Sequence, residues 1–482
     1  MSVNKTVVYD EPYESIWQRL MRKFLIPTSE SKLLHSLKTL LSHHCKSDIE
    51  YKSAIVSNGF KINYIEITKK KSSASMNHPG YVASKKSEKT LVLMHGYASG
   101  LGFFYDNYDT FGEQFDRVLA VDWPGMGGSA RFPVKGHTRR IADNSNEFCA
   151  YDPAPRRSVF LSLLSCLPLS ARRFLPLNVQ LSLSPSAHEV EIDRETNIGR
   201  SNFNRSVGFF IDSLELFREQ VLGDDAPFVL AGHSLGGLLS AQYALKYPDA
   251  VSGLVLISPV GLNAQPEPSK LASFSELSWT YRLIKLLLNL NVTPQDLVRL
   301  AAWKGPGIIS SAIDRRFGQR WPAQERDILA DYLYHITVAP PCGEFALHSV
   351  LEAVVYKMDP SDATQATARE FSRRDNNNNK SDKNVTSTQP AFVLKAGIFA
   401  REPLFSSMAR LSHFKKPILV LYGDNDWLRY PGVEQDVQRW QESTGVDTAL
   451  AIVPNAGHHL YLDNPTSFHS EIYSWLKQKR LL

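Results

Sequence analysis

The stretch Phe228-Val-Leu-Ala-Gly-His-Ser-Leu-Gly-Gly237 restricts the fold more than any other in this chain. An apolar, strand-like run enters Gly232-His233-Ser234-Leu235-Gly236, and a helical pattern over Leu235–Lys246 leaves it. The glycines flanking Ser234 permit a tight turn and let strand and helix approach with no side chains between them. A serine in that turn projects its hydroxyl at the end of the strand. The N-terminus of the following helix lies behind it and offers backbone N–H groups and the positive end of a dipole. A strand that opens on a site at its carboxyl end, with a helix returning along the sheet, is the unit from which alternating α/β folds are built.

The rest of the chain repeats this alternation. Ala54–Val56, Lys61–Ile67, Thr90–Met94, Val118–Val121, Val251–Ile257, Ile418–Leu421 and Ala449–Val453 are short, rich in Val, Ile and Leu, and bounded by Gly, Pro, Asp or Asn. Several are apolar throughout, as suits a parallel sheet covered on both faces. Helical patterns at Phe209–Val221, Val433–Ser443 and Thr466–Lys477 lie between or after them. The expectation is a doubly wound, mostly parallel α/β sheet.

Several segments fall outside this scheme. Residues 1–50 read as an N-terminal helical extension. In Ser15–Leu25 the residues Ile16, Trp17, Leu20, Met21, Phe24 and Leu25 fall on one stripe, with Arg19, Arg22 and Lys23 elsewhere. A second helix carries Leu33, Leu34, Leu37, Leu40 and Leu41, with Ser31 as its candidate cap. Residues 51–260 form the first part of the core, interrupted by a loop insertion at 136–200. Residues 261–416 form a mainly helical lid with candidate helices Tyr281–Leu290, Gln295–Ala302, Ala323–His335 and Phe345–Tyr356, and a polar insertion at 361–390 expected to be disordered. Residues 417–482 complete the core.

Composition excludes several classes. With 482 residues and 43% hydrophobic content the chain has ample material for a core, and a formal charge of +5 is too dilute for a nucleic-acid footprint. Four cysteines without close pairing form neither a disulfide scaffold nor a zinc pattern, and a reducing, intracellular compartment is the expected home. No metal or cofactor is expected.

A neutral serine hydroxyl is a weak nucleophile and needs a base and an orienting acid, in the chain order Ser, Asp or Glu, His for a turn of this kind. The segment Ile418–Leu421 runs into Tyr422-Gly423-Asp424-Asn425-Asp426, and Ala449–Val453 runs into Pro454-Asn455-Ala456-Gly457-His458-His459. Asp426 is preferred over Asp424 because the loop needs a few residues to reach an imidazole. His458 is preferred over His459 because it adjoins Gly457. Both pairs stay open at this stage. A second oxyanion donor should follow an early strand, where Leu91-Val-Leu-Met-His95-Gly96-Tyr97 supplies one, so Tyr97 and Leu235 are the candidate backbone donors.

With these residues in place, the chain resembles the α/β-hydrolase superfamily. Within it, the chain is similar to a group of lipid enzymes: lipid-droplet proteins of the comparative-gene-identification type, lysophosphatidic acid acyltransferases, lyso-N-acylphosphatidylethanolamine lipase and mitochondrial cardiolipin-specific deacylase. The likeness extends from Pro27-Thr28-Ser29 through His95-Gly96-Tyr97, Asp122-Trp-Pro-Gly-Met-Gly-Gly-Ser129, Phe209-Phe210-Ile-Asp-Ser-Leu-Glu215, Tyr332-Leu-Tyr-His335, Gly343-Glu344, Ala400-Arg401-Glu402-Pro403-Leu404 and Tyr422-Gly-Asp-Asn-Asp-Trp427. Leu428-Arg429 departs from the usual Met-Asp after the acid loop, and the two insertions are longer than is usual for the group.

The resemblance implies that Ser234, Asp426 and His458 cleave fatty-acyl esters of glycerophospholipids, with cardiolipin deacylation the specific form. It also implies a His-x4-Asp element for acyl transfer at His458 and Asp463, although Asp463 also suits the cap of a helix beginning near Pro465. Two alternatives follow from the same group: an acyltransferase joining an acyl chain from acyl-CoA to lysophosphatidic acid, and a noncatalytic lipid-droplet scaffold that recruits a lipase. The expected partners are phospholipid and a peripheral membrane or lipid-droplet surface. The expected location is the mitochondrion, with cytoplasm or lipid droplet as the alternative.

Overall fold

The computed structural model describes residues 28–57, 59–69, 88–131, 185–223, 227–273, 275–289, 292–318, 321–358, 392–404 and 414–482. Its strands are β1 (Glu50–Ile55), β2 (Lys61–Thr68), β3 (Thr90–Met94), β4 (Arg117–Val121), β5 (Phe228–His233), β6 (Val251–Ile257), β7 (Leu351–Met358), β8 (Val393–Ala400), β9 (Ile418–Gly423) and β10 (Thr448–Val453). Eight of them form one sheet in the order β1-β2-β4-β3-β5-β6-β9-β10, while β7 and β8 make a separate antiparallel pair. The β1–β2 and β2–β4 pairs are antiparallel. From β4 to β10 every pairing is parallel.

The helices are α1 (Glu30–His44), α2 (Tyr108–Gln114), α3 (Pro185–Val221), α4 (Leu235–Lys246), α5 (Trp279–Asn289), α6 (Pro294–Leu300), α7 (Gly305–Phe317), α8 (Ala323–Val338), α9 (Ala346–Ser349), α10 (Val433–Thr444), α11 (Leu460–Asp463) and α12 (Pro465–Gln478). Successive strand residues face opposite sides of a sheet, so apolar strands feed two cores. Phe228 and Leu230 of β5 and Ile418 and Val420 of β9 pack with Phe210, Phe217, Leu238 and Trp440 from α3, α4 and α10. Their neighbours Val229, Ala231, Leu419 and Leu421 pack on the other face with residues of α1, α2, α7, α8 and α12. Burying one such side chain contributes roughly 1.5–3 kcal/mol, so both layers hold the sheet in place.

Some expectations are corrected. The cap of α1 is Ser29, whose side chain accepts from Lys32 N–H, because the helix begins at Glu30 and already includes Ser31. Residues 185–200 of the expected loop insertion belong to α3, where they extend the helix expected at Phe209–Val221. Phe345–Tyr356, expected to be helical, is helical only to Ser349 and then becomes β7, because pairing with β8 overrides local preference. The segment expected to form a lid, 261–416, therefore combines helices α5 to α9 with the antiparallel pair β7–β8 among its described residues. The stripe Ser15–Leu25 and the insertion 361–390 lie outside the described residues. No helix among the described residues is long and apolar enough to cross a membrane.

His469 of α12 lies buried against the rings of Phe111, Phe468 and Tyr473, with no partner for either ring nitrogen among the described residues. Burial lowers its pKa to about 4. Unfolded, a histidine titrates near 6.5, so between these values the unfolded chain binds a proton that the folded chain does not. Stability from this group is intact above the upper value and lost as pH falls through the window. Urea midpoints are expected to fall between about pH 7 and pH 5, with His469 responsible for at most about 2 kcal/mol. His469→Gln should flatten the profile; an unchanged slope would assign the loss to other groups.

Candidate active site

Ser234 sits between β5 and α4 with φ 56° and ψ −116°, in the left-handed half of backbone space that a residue with a side chain rarely enters. The turn is locked from several directions. Ser234 N–H donates to Ile257 O at 2.9 Å, and its carbonyl accepts from the N–H groups of Gly237, Leu238 and Val260. A Cβ at Gly232 would lie 2.4 Å from Gly236 O, and one at Gly236 would lie 2.4 Å from His95 O. Glycine at both positions is thus a condition of the strand, helix and β3 loop meeting around Ser234.

Four adjacent strands, β5, β6, β9 and β10, deliver one polar residue each beyond their carboxyl ends: Ser234, Ser258, Asp426 and His458. His458 Nε2 lies 3.1 Å from Ser234 Oγ, and its Nδ1 lies 3.2 Å from Asp426 Oδ1. The three predicted side chains therefore come together, and the open choices close geometrically. Asp424 instead accepts from the N–H groups of Asn455 and Ala456, at 2.9 and 3.0 Å, and ties the β9 loop to the β10 loop. His459 is half-buried among the rings of Phe103, His233 and Tyr461. Burial, together with the nearby charges of His458 and Arg316, drives its pKa well below the ordinary histidine value, so it stays neutral.

The sequence reading missed Ser258. It is fully buried, has φ 46°, donates its N–H to Leu421 O, and places its hydroxyl between acid and base. Ser258 Oγ lies 2.7 Å from His458 Nδ1 and donates to Asp426 Oδ2. Since that hydroxyl proton goes to the carboxylate, Nδ1–H donates toward Ser258 Oγ and Asp426 Oδ1. Leu428 N–H adds a bond to Oδ1 at 3.0 Å. Burial alone would raise the Asp426 pKa, but the His458 charge and the bonds from His458, Ser258 and Leu428 outweigh it and hold the carboxyl below its ordinary value. The only sequence signal was a serine at a strand end before Pro259, uninformative until the strand order put β6 between β5 and β9.

Two further histidines brace the site. His95 Nδ1–H donates to Gly96 O at 2.8 Å, and its Nε2 accepts from Trp123 N–H at 3.1 Å, a pattern that requires the neutral ring. Burial lowers its pKa in agreement with that tautomer. His233 Nε2 donates to the His458 carbonyl at 3.0 Å, holding the backbone of the loop. Gly96 lies against Ser234, where an added Cβ would sit 3.0 Å from Ser234 Cβ. The N–H groups of Tyr97 and Leu235 donate to no backbone carbonyl among the described residues. Tyr97 Oη–H donates to Gln295 Oε1 at 3.1 Å, which joins this loop to α6.

Asp463 Oδ2 accepts from Gly457 N–H at 2.8 Å and pairs with Arg316 of α7. It thereby fixes the peptide just before His458. The cap of the following helix is its neighbour Asn464, whose side chain accepts from Ser467 N–H at 3.1 Å, which corrects the capping alternative for Asp463. Among the described residues no group of three or more His, Cys, Asp or Glu side chains could hold a metal ion.

Residues 89–297 match the model described as alpha/beta hydrolase fold, and residues 197–465 match the one described as serine aminopeptidase, S33. The chain belongs to the α/β-hydrolase superfamily. It is 27% identical to a 1-acylglycerol-3-phosphate O-acyltransferase of Arabidopsis thaliana, over 95% of this chain and 83% of that one. It is 26% identical to a probable enzyme of the same name from Oryza sativa, over 93% and 81% of the two chains. It is also 26% identical to the human (lyso)-N-acylphosphatidylethanolamine lipase, over 55% and 62%.

Substitutions separate the two aspartates and test Ser258. Asp426→Asn is expected to lower kcat by about 10⁴-fold, because the imidazole loses its orienting anion. Asp424→Asn should leave kcat within about tenfold and act through loop stability. Ser258→Ala removes a hydrogen bond to a charged group and should lower kcat about 10- to 100-fold. A Ser258→Ala enzyme with wild-type kcat and pH profile would show the direct His458–Asp426 contact to be sufficient.

Proposed function

We propose that the protein is a serine acyl-ester enzyme acting on glycerophospholipids, with Ser234 as nucleophile, His458 as general base and acid, and Asp426 as the orienting anion. The observation that carries this reading is the chain of contacts from Ser234 Oγ through the His458 imidazole to Asp426. His458 Nε2 takes the hydroxyl proton as Ser234 Oγ bonds to the ester carbonyl carbon, and the carbonyl electron pair moves onto oxygen. The N–H groups of Tyr97 and Leu235 receive that oxyanion. Collapse expels the lysophospholipid alkoxide, which takes the proton from His458 and leaves an acyl-enzyme on Ser234. Water, deprotonated by His458, attacks this ester and releases the fatty acid, restoring Ser234. Asp463 acts on the same base indirectly, through the Gly457 peptide.

The lipid assignment is supported by the names of the plant and human relatives. Among phospholipids we rank cardiolipin deacylation first, at a mitochondrial membrane. A second reading follows from the plant acyltransferases, which match over nearly the whole chain. There the hydroxyl of a lysophosphatidic acid replaces water at the acyl-enzyme, with acyl-CoA as donor, and both routes use the same side chains.

Purified protein and Ser234→Ala, incubated with a defined phospholipid panel, should differ by about three to six orders of magnitude in fatty acid release. Release that persists in Ser234→Ala would sink the mechanism. Diacyl product formed only when acyl-CoA and lysophosphatidic acid are both supplied would assign acyl transfer. Imaging of a tagged chain with and without residues 1–45 tests location: mitochondrial signal lost on truncation is expected, and cytosolic signal in both would reject it.

A further inference from the structure

The strongest unexplained surface is on the lid. Of the twelve exposed large hydrophobic residues among those described, seven lie between positions 279 and 308. α5 exposes Trp279, Leu283 and Ile284, and Trp279 is 74% exposed. α6 exposes Leu297 and Leu300, three residues apart on one face, and Trp303 and Ile308 continue outward beyond it, Leu300 and Trp303 being 70% and 76% exposed. Two tryptophans left this open to water in one short segment are not accounted for by packing, since apolar surface is normally buried or used.

The charges of the segment are as one-sided as its apolar residues. The exposed ones are Lys285 and Lys304. The single acid in 279–308, Asp296, bonds to Thr293 and Arg299, and Arg299 is clamped bidentate on Glu344. Arg282 donates to the carbonyls of Leu277 and Ser275. What faces outward is thus tryptophan, leucine and isoleucine beside lysine. Tryptophan prefers the headgroup level of a bilayer, aliphatic side chains enter the acyl boundary, and lysine meets anionic headgroups.

We infer that the outer face of α5, α6 and the turn through Trp303 to Ile308 docks on an anionic phospholipid bilayer. The choice of lipid as occupant rests on the phospholipid reading above; the exposed face does not depend on it. On its inner side α6 buries Gln295, which holds the Tyr97 side chain of the candidate oxyanion loop. A docked lid therefore brings the bilayer to within one helix of the reacting serine.

The test is flotation of the full chain with vesicles of phosphatidylcholine alone and of phosphatidylcholine with phosphatidylglycerol, plus quenching of tryptophan fluorescence by brominated acyl chains. Wild type and Ser234→Ala should both float with the anionic vesicles and be quenched, which keeps this result separate from the catalytic one. A Leu300→Ser/Trp303→Ser variant should lose about tenfold or more in partitioning, and Lys285→Glu/Lys304→Glu should lose binding to the anionic vesicles while keeping the wild-type melting curve. Wild type that fails to float would overturn the proposal, as would well-folded variants that float like wild type. A wild-type dimer that dissociates in the Leu300→Ser/Trp303→Ser variant without any vesicle dependence would instead make the face an interface between two copies.

Discussion

The backward turn at Ser234 is the constraint around which the molecule is arranged. Its positive φ is unfavourable for a serine, and it persists because β5, α4, the β3 loop and the β6 end all close on it. Glycine at positions 232 and 236 lets backbone carbonyls come where a Cβ would stand. The N–H of Ser234 is held by Ile257 and its carbonyl by Gly237, Leu238 and Val260. The turn is therefore anchored to the end of β6 and to the first turn of α4, with the β3 loop packed against it at Gly236, and the hydroxyl position follows from backbone geometry more than from side-chain packing.

The second layer of organisation is electrostatic. Asp426 is almost fully buried, where an isolated carboxylate would be costly, and it remains an anion because the Ser258 hydroxyl, the Leu428 N–H and the His458 imidazole converge on it. The surrounding histidines are kept neutral by the same burial. His95, His233 and His459 all have lowered pKa values, so none adds a fixed positive charge that would compete with His458 for the carboxylate. Two of the three serve instead as donors to backbone carbonyls, His95 to Gly96 and His233 to His458.

Much of this was legible in the residues. Strand positions were readable because parallel strands buried on both faces are apolar throughout, and the serine, acid and histidine announced themselves at strand ends. The misread elements share a cause. β7 followed a segment with helical spacing, and only the antiparallel partner 35 or more positions later made it a strand. The α1 cap slipped by two residues, since Ser29 and Ser31 offer the same chemistry. The choice between Asp424 and Asp426 was argued from loop length, whereas the structure separates them by partners: one bonds backbone amides, the other faces an imidazole.

The α/β alternation, the turn chemistry around Ser234 and the three residue types of the candidate site could all be read from the residues. Those depend on local properties: side-chain periodicity, glycine's freedom and the chain order of a motif. The strand order β5-β6-β9-β10 came from long-range packing, and with it the placement of Ser258 between Asp426 and His458. Such packing also has Asp463 hold the Gly457 peptide directly while pairing with Arg316, and leaves Trp279 of α5 and Trp303 after α6 exposed. Each of these is a relation between segments far apart in the chain, set by which surfaces pack together and which are left facing water.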